Sequence, residues 1–240
     1  MIKRLLYAVL ALVFAIIAVA VPLKKISDTE KIADLCENIE QNNNTEAIAV
    51  AKTIKNLNRQ SSIFPKLALF LEAEVTTPLV KACETGNGEM IIWLLDHGAR
   101  TDYAPNGILY PLEAFCDNGG GAGDKALRAL LKHGADPETY TDRPPVFRLA
   151  QTLRNRKEQS RREGIEMIMT LVNAGASWKD PTDGYTLLHY AAMQENAGLM
   201  IALLQKEEAG KYLDMPNDIG QTPLDIATEQ NKILIQGRLG

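Results

Sequence analysis

Thr77-Pro78-Leu79-Val80-Lys81-Ala82-Cys83, followed through Gly86 and Glu89 by Trp93-Leu94-Leu95-Asp96-His97-Gly98-Ala99, decides the fold, because the chain repeats it. The opening returns as Tyr110-Pro111-Leu112-Glu113-Ala114-Phe115-Cys116, and the close as Leu130-Leu131-Lys132-His133-Gly134-Ala135. A third copy opens at Pro144-Pro145-Val146-Phe147-Arg148-Leu149-Ala150 and closes on Gly175-Ala176. The fourth opens at Thr186-Leu187-Leu188-His189-Tyr190-Ala191-Ala192, and Thr222-Pro223-Leu224-Asp225-Ile226-Ala227 begins a fifth. The openings lie 33, 34, 42 and 36 residues apart. A recurrence at that period marks an array of stacked units, none able to bury its apolar face alone.

Each copy carries the signals of a helix pair. Thr at the opening can accept a backbone N–H at a helix start, and Pro at the first helical position gives up no hydrogen bond. Ala or Cys at the seventh place lets paired helices approach closely. Met90 to Leu95 is apolar enough for a second helix buried on more than one face. Gly98, Gly134 and Gly175 then predict left-handed helix stops.

With this period and opening, residues 76–240 resemble the ankyrin-repeat family. Copy one follows the family pattern without a gap from Thr77 to Ala99, and copy four replaces the usual Pro with Leu187. Copies two and three depart by insertion, at Gly119 to Gly123 and around Gln151 to Arg162. Copy five lacks the Gly-Ala close, as a terminal cap would. The resemblance implies an all-α solenoid of helix-turn-helix units with finger loops between them, and a role in binding without catalysis.

Upstream, Ser27 and Glu30 form a capping-box pattern before Ile32, Leu35, Cys36 and Ile39. Asn42 to Asn44 reads as a turn, and Thr45 to Leu57 as a second amphipathic helix. The expected organisation is therefore a membrane anchor or signal at 1–26, a degenerate capping repeat and bridge at 27–75, and the array at 76–240. A short helix from Pro65 to Glu72 is expected in the bridge.

Leu5 to Leu23 is nineteen residues without a charge, flanked by Lys3-Arg4 and Lys24-Lys25. As a helix it would cover about 28 Å, close to the roughly 30 Å hydrocarbon core. Ala18-Val19-Ala20 also fits a signal-peptide cleavage site. A retained transmembrane helix and a cleaved signal both export the repeats. Lys3 and Arg4 favour a cytoplasmic amino end, whereas Lys24, Lys25 and Lys31 favour the reverse. The expectation is a single-pass inner-membrane protein of bacterial type with periplasmic repeats, or a soluble periplasmic protein after cleavage near Ala20.

The formal charge of −4 gives no basic excess of the kind a nucleic-acid binder carries. One basic cluster, Arg148 to Arg162, diluted by Glu158 and Glu163, reads as a solvated face or, alternatively, as a contact for an acidic partner. Cys83 and Cys116 hold equivalent places in adjacent copies. Stacked helices put such places roughly 8–10 Å apart, beyond the 4.4–6.8 Å of a disulfide, so these thiols should be reduced core residues. Cys36 takes the same place in the cap.

Catalytic patterns are missing from the sequence. His97 and His133 precede capping glycines, where a cation meets the helix C-terminus. In the family pattern His189 bonds the hydroxyl of Thr186 and nearby backbone. The glycine run Gly119 to Gly123 lacks the Lys-Ser/Thr of a phosphate loop and reads as a flexible insertion. No enzyme activity, cofactor, metal or small-molecule substrate is expected.

In ankyrin arrays the partner lies across finger loops and first helices. The fingers here are 100–109, 137–143, 177–185 and 215–221. They offer Tyr103, Tyr140, Trp178 and Tyr185 as anchors, with Asp142 and Arg143 in a polar rim that also includes Asp102, Lys179 and Asp183. Some of these rings can instead pack on the neighbouring finger. The expected function is capture of a partner protein at the membrane or in the periplasm. Two narrower readings are an immunity-type inhibitor of a toxin reaching that compartment and an accessory protein for an exported enzyme.

Overall fold

The computed structural model describes residues 23–61, 75–104, 109–153, 157–194 and 197–239. Its backbone divides into two compact units, Met1–Pro78 and Leu79–Gly240.

In the first unit, α1 (Leu23–Glu40) packs against α2 (Asn44–Ala51). Ile32, Leu35, Cys36 and Ile39 recur at helical spacing and are buried with Ala47, Ala51 and Leu57. Asn42 makes the turn with φ 56°, a conformation Asn tolerates better than other side-chain-bearing residues. The helix starts earlier than the Ser27 cap predicts and runs through it, while α2 stops at Ala51, short of Leu57. The helix expected from Pro65 to Glu72 lies outside the described residues.

The single-pass inner-membrane expectation is corrected. Among the described residues no helix is long and apolar enough to cross a membrane. Leu23, the expected end of the span, is the first residue of α1, whose sequence carries Lys24, Lys25, Asp28, Glu30, Lys31, Asp34, Glu37 and Glu40. So many charges are incompatible with a hydrocarbon environment. Residues 5–22, including the cleavage site near Ala20, lie outside the described residues.

The array follows as helix pairs. They are α3 (Pro78–Thr85) with α4 (Gly88–Asp96), and α5 (Pro111–Asp117) with α6 (Gly123–Lys132). Next come α7 (Pro145–Thr152) with α8 (Glu158–Asn173), then α9 (Leu187–Ala192) with α10 (Gly198–Leu204). A 3-10 helix (Glu207–Lys211) and α11 (Glu229–Leu239) complete it. In the Leu79–Gly240 unit, α5, α7 and α9 stack in one layer, and α4, α6, α8, α10 and α11 in another. Among the described residues no strand forms; Lys179 and Thr186 make an isolated antiparallel bridge.

The expected glycine stops form. Gly98, Gly134 and Gly175 have φ 89°, 89° and 99°. The amide after each reaches back to a carbonyl of the last turn: Ala99 to Leu94, Ala135 to Leu130 and Ala176 to Leu171, at 2.9–3.0 Å. Between the layers lie Leu94, Leu112, Phe115, Leu127, Leu130, Phe147, Ile168, Leu171, Leu188 and Leu203, all essentially unexposed. Burying such a side chain contributes about 1.5–3 kcal/mol, so stacking carries the stability of units too small to fold alone.

Two expectations change in detail. The Gly119–Gly123 run is a turn leading into α6, with Gly119 and Gly120 buried and Gly121 exposed. Gly120 has φ 70°, a left-handed conformation that favours glycine, and it packs against the end of the Met167 side chain and the Phe115 ring. The fifth copy forms a turn over 223–226 where copies one to four have a helix, and only its second helix, α11, is regular. Copy three takes up extra length in α8, which has 16 residues against 9 in α4.

Neighbouring copies are also stitched by polar groups. Asn231, fully buried, donates through Nδ2 to the carbonyls of Ala191, Ala192 and Gln194, at 3.0, 3.2 and 3.0 Å. These carbonyls lie at and just beyond the end of α9; Ala191 O also accepts from Gln194 N and Ala192 O from Thr228 N, at 3.2 and 3.1 Å. Asn118 Nδ2 likewise donates to Cys83 O at 3.3 Å. All three cysteines are buried, and none is in a disulfide. Burial raises the pKa of the Cys83 and Cys116 thiols, and neighbouring acidic groups add to the shift.

Candidate functional site

The fifth and eighth places of each opening recur on one face of the first helices, where core packing does not demand apolar residues. They carry Lys81 and Glu84 in copy one, Asp117 at the eighth place of copy two, Arg148 and Gln151 in copy three, and Tyr190 in copy four. Asp117, Arg148 and Gln151 join Asp142, Arg143 and Thr182 from two finger loops around a cavity of about 370 Å³.

Arg148 organises one side of the cavity. Its side chain is 10% exposed, and its Nη2 donates to Glu113 Oε1 at 3.1 Å. Nη1 donates to Asp117 at 2.5 Å, Nη2 also contacts Asp142, and Nε donates to Arg143 O at 3.0 Å. Burial opposes its charge, but the Asp117 hydrogen bond and the charges of Asp117, Glu113 and Asp142 hold its pKa above the ordinary guanidinium value.

Glu113 is completely buried. Besides Arg148 it accepts from Tyr110 N at 2.9 Å, Thr141 N at 2.8 Å and the Thr141 hydroxyl at 2.9 Å. A buried carboxylate is tolerable only when its lone pairs are filled in this way. Its position is equivalent to that of His189. In copy four, Thr186 N donates to His189 Nδ1 at 3.0 Å, and Nε2 donates to Gln221 O at 2.9 Å. In copy five, Asp225 accepts from Thr222 N at 2.8 Å. One place in the repeat thus holds three different side chains that each accept the backbone N–H of the opening residue. The bond from His189 to Thr186 follows the family expectation. Burial lowers the His189 pKa, partly offset by Gln221 O and nearby acidic groups.

Arg143 organises the other side. Nε lies 2.9 Å from Asp180 Oδ2, and Nη2 meets Asp183 Oδ2 at 2.9 Å and Thr182 Oγ1 at 3.0 Å. Asp180 is fully buried; its Oδ2 takes no aligned hydrogen bond, so that contact is an ion pair alone. The Tyr190 hydroxyl accepts from Gln151 Nε2 at 3.3 Å and Arg143 Nη1 at 3.4 Å. Burial raises the Tyr190 pKa above its ordinary value.

The structure brings Asp142 and Arg143 to this cavity: Asp142 is 76% exposed, Arg143 24%. Tyr185 lies half-buried beside it, with ring centroids 5.2 Å from His189 and 5.9 Å from Tyr190. Tyr103 is half-buried on its own finger, with Arg100 5.6 Å from its ring centroid. Tyr140 is half-buried next to Thr141. Trp178 is only 7% exposed and stacks on Tyr212 at 5.5 Å, as part of the packing between consecutive copies.

Sequence reasoning missed Glu113, Asp117, Gln151 and Asp180, and placed Arg148 on a solvated face. The signal was available: Arg148 interrupts the apolar run Val146-Phe147-Leu149-Ala150, where a charge needs a buried partner. Glu113 holds the place of a capping histidine.

Two stacked helix layers joined by finger loops define a helical repeat solenoid. The family model described as Ankyrin repeats (3 copies) matches residues 159–236, from α8 through α11, so ankyrin repeats are found in this chain. No curated protein matches the chain. Ankyrin repeats generally mediate protein–protein interaction and are typically non-enzymatic.

Proposed function

We propose that the array binds another protein across its finger loops and the exposed face of its first helices. The observation that supports this most is the cavity between α5, α7 and two fingers. Its walls are held by buried ion pairs, so a partner meets a surface already in its binding shape and loses little entropy in ordering it. Tyr103 and Tyr140, both half-buried, are the aromatic anchors of this reading, with Asp142 and Arg143 in the polar rim. Trp178 and Tyr185 shape the surface from below.

The test is to change Tyr103 and Tyr140 to Ala together and to titrate a partner identified by capture with the full chain. The reading expects an affinity loss of about tenfold or more, with unchanged circular dichroism. Unaltered affinity overturns the assignment of this face.

A further inference from the structure

We propose that the cavity receives a basic side chain, arginine or lysine, carried by a segment of the partner protein. This inference rests on the binding face assigned above and names the chemistry that face selects.

Charge is the first argument. Glu113, Asp117, Asp142, Asp180 and Asp183 surround Arg143 and Arg148, so five carboxylates face two guanidinium groups. Of these, Asp117 and Asp142 line the cavity beside both guanidinium groups, and the buried Glu113 and Asp180 with the partly buried Asp183 place an acidic excess behind its wall.

Hydrogen-bond polarity is the second. Arg148 donates to three carboxylates and a carbonyl, and Arg143 meets two carboxylates and two hydroxyl oxygens. The Thr182 hydroxyl donates to Asp180 Oδ1 at 2.6 Å, and Gln151 Nε2 donates to Tyr190. The donors of the wall are therefore largely engaged from within.

Acceptors remain. Asp117 uses Oδ2 on Arg148 and Asp142 uses Oδ1, and both side chains are open to solvent, at 43% and 76% exposure. Their second oxygens take no partner among the described residues, and the Gln151 amide oxygen adds a third acceptor. An anion would meet the Asp117 and Asp142 carboxylates beside the few N–H groups that the two guanidiniums leave over. Guanidinium and ammonium groups bring only donors, and charge-assisted bonds to carboxylates are the strong ones.

The probe is the peptide acetyl-Gly-Arg-Gly-Arg-Gly-amide, titrated into the full chain and followed by backbone amide shifts. Its lysine counterpart, its glutamate counterpart and inorganic phosphate are run alongside. The arginine and lysine peptides should shift the amides of Asp117, Asp142 and Gln151 at millimolar concentration, and binding should weaken as salt rises. Asp117→Asn with Asp142→Asn should weaken it about tenfold. Gln151→Arg, which places a guanidinium at the cavity from an exposed position, should abolish it.

The inference is overturned if the basic peptides leave those amides unmoved, if the glutamate peptide or phosphate shifts them instead, or if the folded variants bind as the natural chain does. A negative peptide titration beside an intact effect of Tyr103 and Tyr140 on partner binding removes the basic anchor alone. Loss of that tyrosine effect removes the binding face itself.

Discussion

Replacing Arg148 by Met retains most of the apolar stem and removes the guanidinium, leaving Glu113 charged inside the array. Breaking a buried pair by removing one partner costs about 3–5 kcal/mol. Three donors remain on Glu113, from Tyr110 N, Thr141 N and the Thr141 hydroxyl, which places this variant at the lower end, about 3 kcal/mol. Asp117 and Asp142 add little, because ion pairs to exposed carboxylates contribute about 0–1 kcal/mol each. Urea unfolding followed by circular dichroism reads the result. With a slope of about 1–3 kcal/mol per molar, the midpoint should fall by about 1–3 M. Glu113→Gln in the Arg148→Met background should cost less than in the natural chain, with a coupling of about 0.5–3 kcal/mol. A loss below about 1 kcal/mol for Arg148→Met, or strict additivity of the two changes, refutes the claim that this pair organises the site.

Three further outcomes follow from the same geometry. His189 accepts at Nδ1 and donates at Nε2, so the fold needs the neutral ring. Its folded pKa is lowered below an unfolded value of about 6.5, the folded state binds fewer protons, and its share of stability is complete above that pH and is lost as pH falls below it. The melting-temperature difference between the natural chain and His189→Asn should shrink from pH 7.5 to pH 5; a constant or widening difference contradicts this. Asn231→Ala removes the donor to three carbonyls and should cost about 1–3 kcal/mol in urea unfolding, and a variant as stable as the natural chain would show that those carbonyls find other partners. Because Cys36, Cys83 and Cys116 are buried, a disulfide reagent should modify each only as fast as the unit that holds it opens; prompt labelling of any of them in the native chain is inconsistent with the fold.

The repeat register and helix stops were legible in the sequence because they depend on local rules: a glycine where the chain must turn left-handed, a small residue where helices touch, an apolar run of helical period. The burial of Gly119 and Gly120 was not legible, since Gly120 packs against Met167 of the next copy, a contact that no local pattern reports. The irregular opening of copy five escaped for the opposite reason, because Thr222 to Ala227 keeps the residues of a helix start without keeping the helix. The rule that selected Tyr103 and Tyr140 as loop aromatics also selected Trp178, which is buried against Tyr212, 34 residues on. Charged groups were hardest to place. Arg148 sits in a basic stretch of the sequence, and only the fold brings Glu113 and Asp117 to it across a full repeat.

Hydrogen exchange at single amides tests most directly whether the copies interlock. Three amides outside regular helices bond across copies: Thr141 N to Glu113, Asp218 N to Asp183 O at 3.2 Å, and Thr228 N to Ala192 O at 3.1 Å. Stacked copies predict that these loop amides are protected and open together with helices α5, α7 and α9. Free exchange at all three while the helices stay protected would mean that the helix pairs form without the stacking on which the binding face depends.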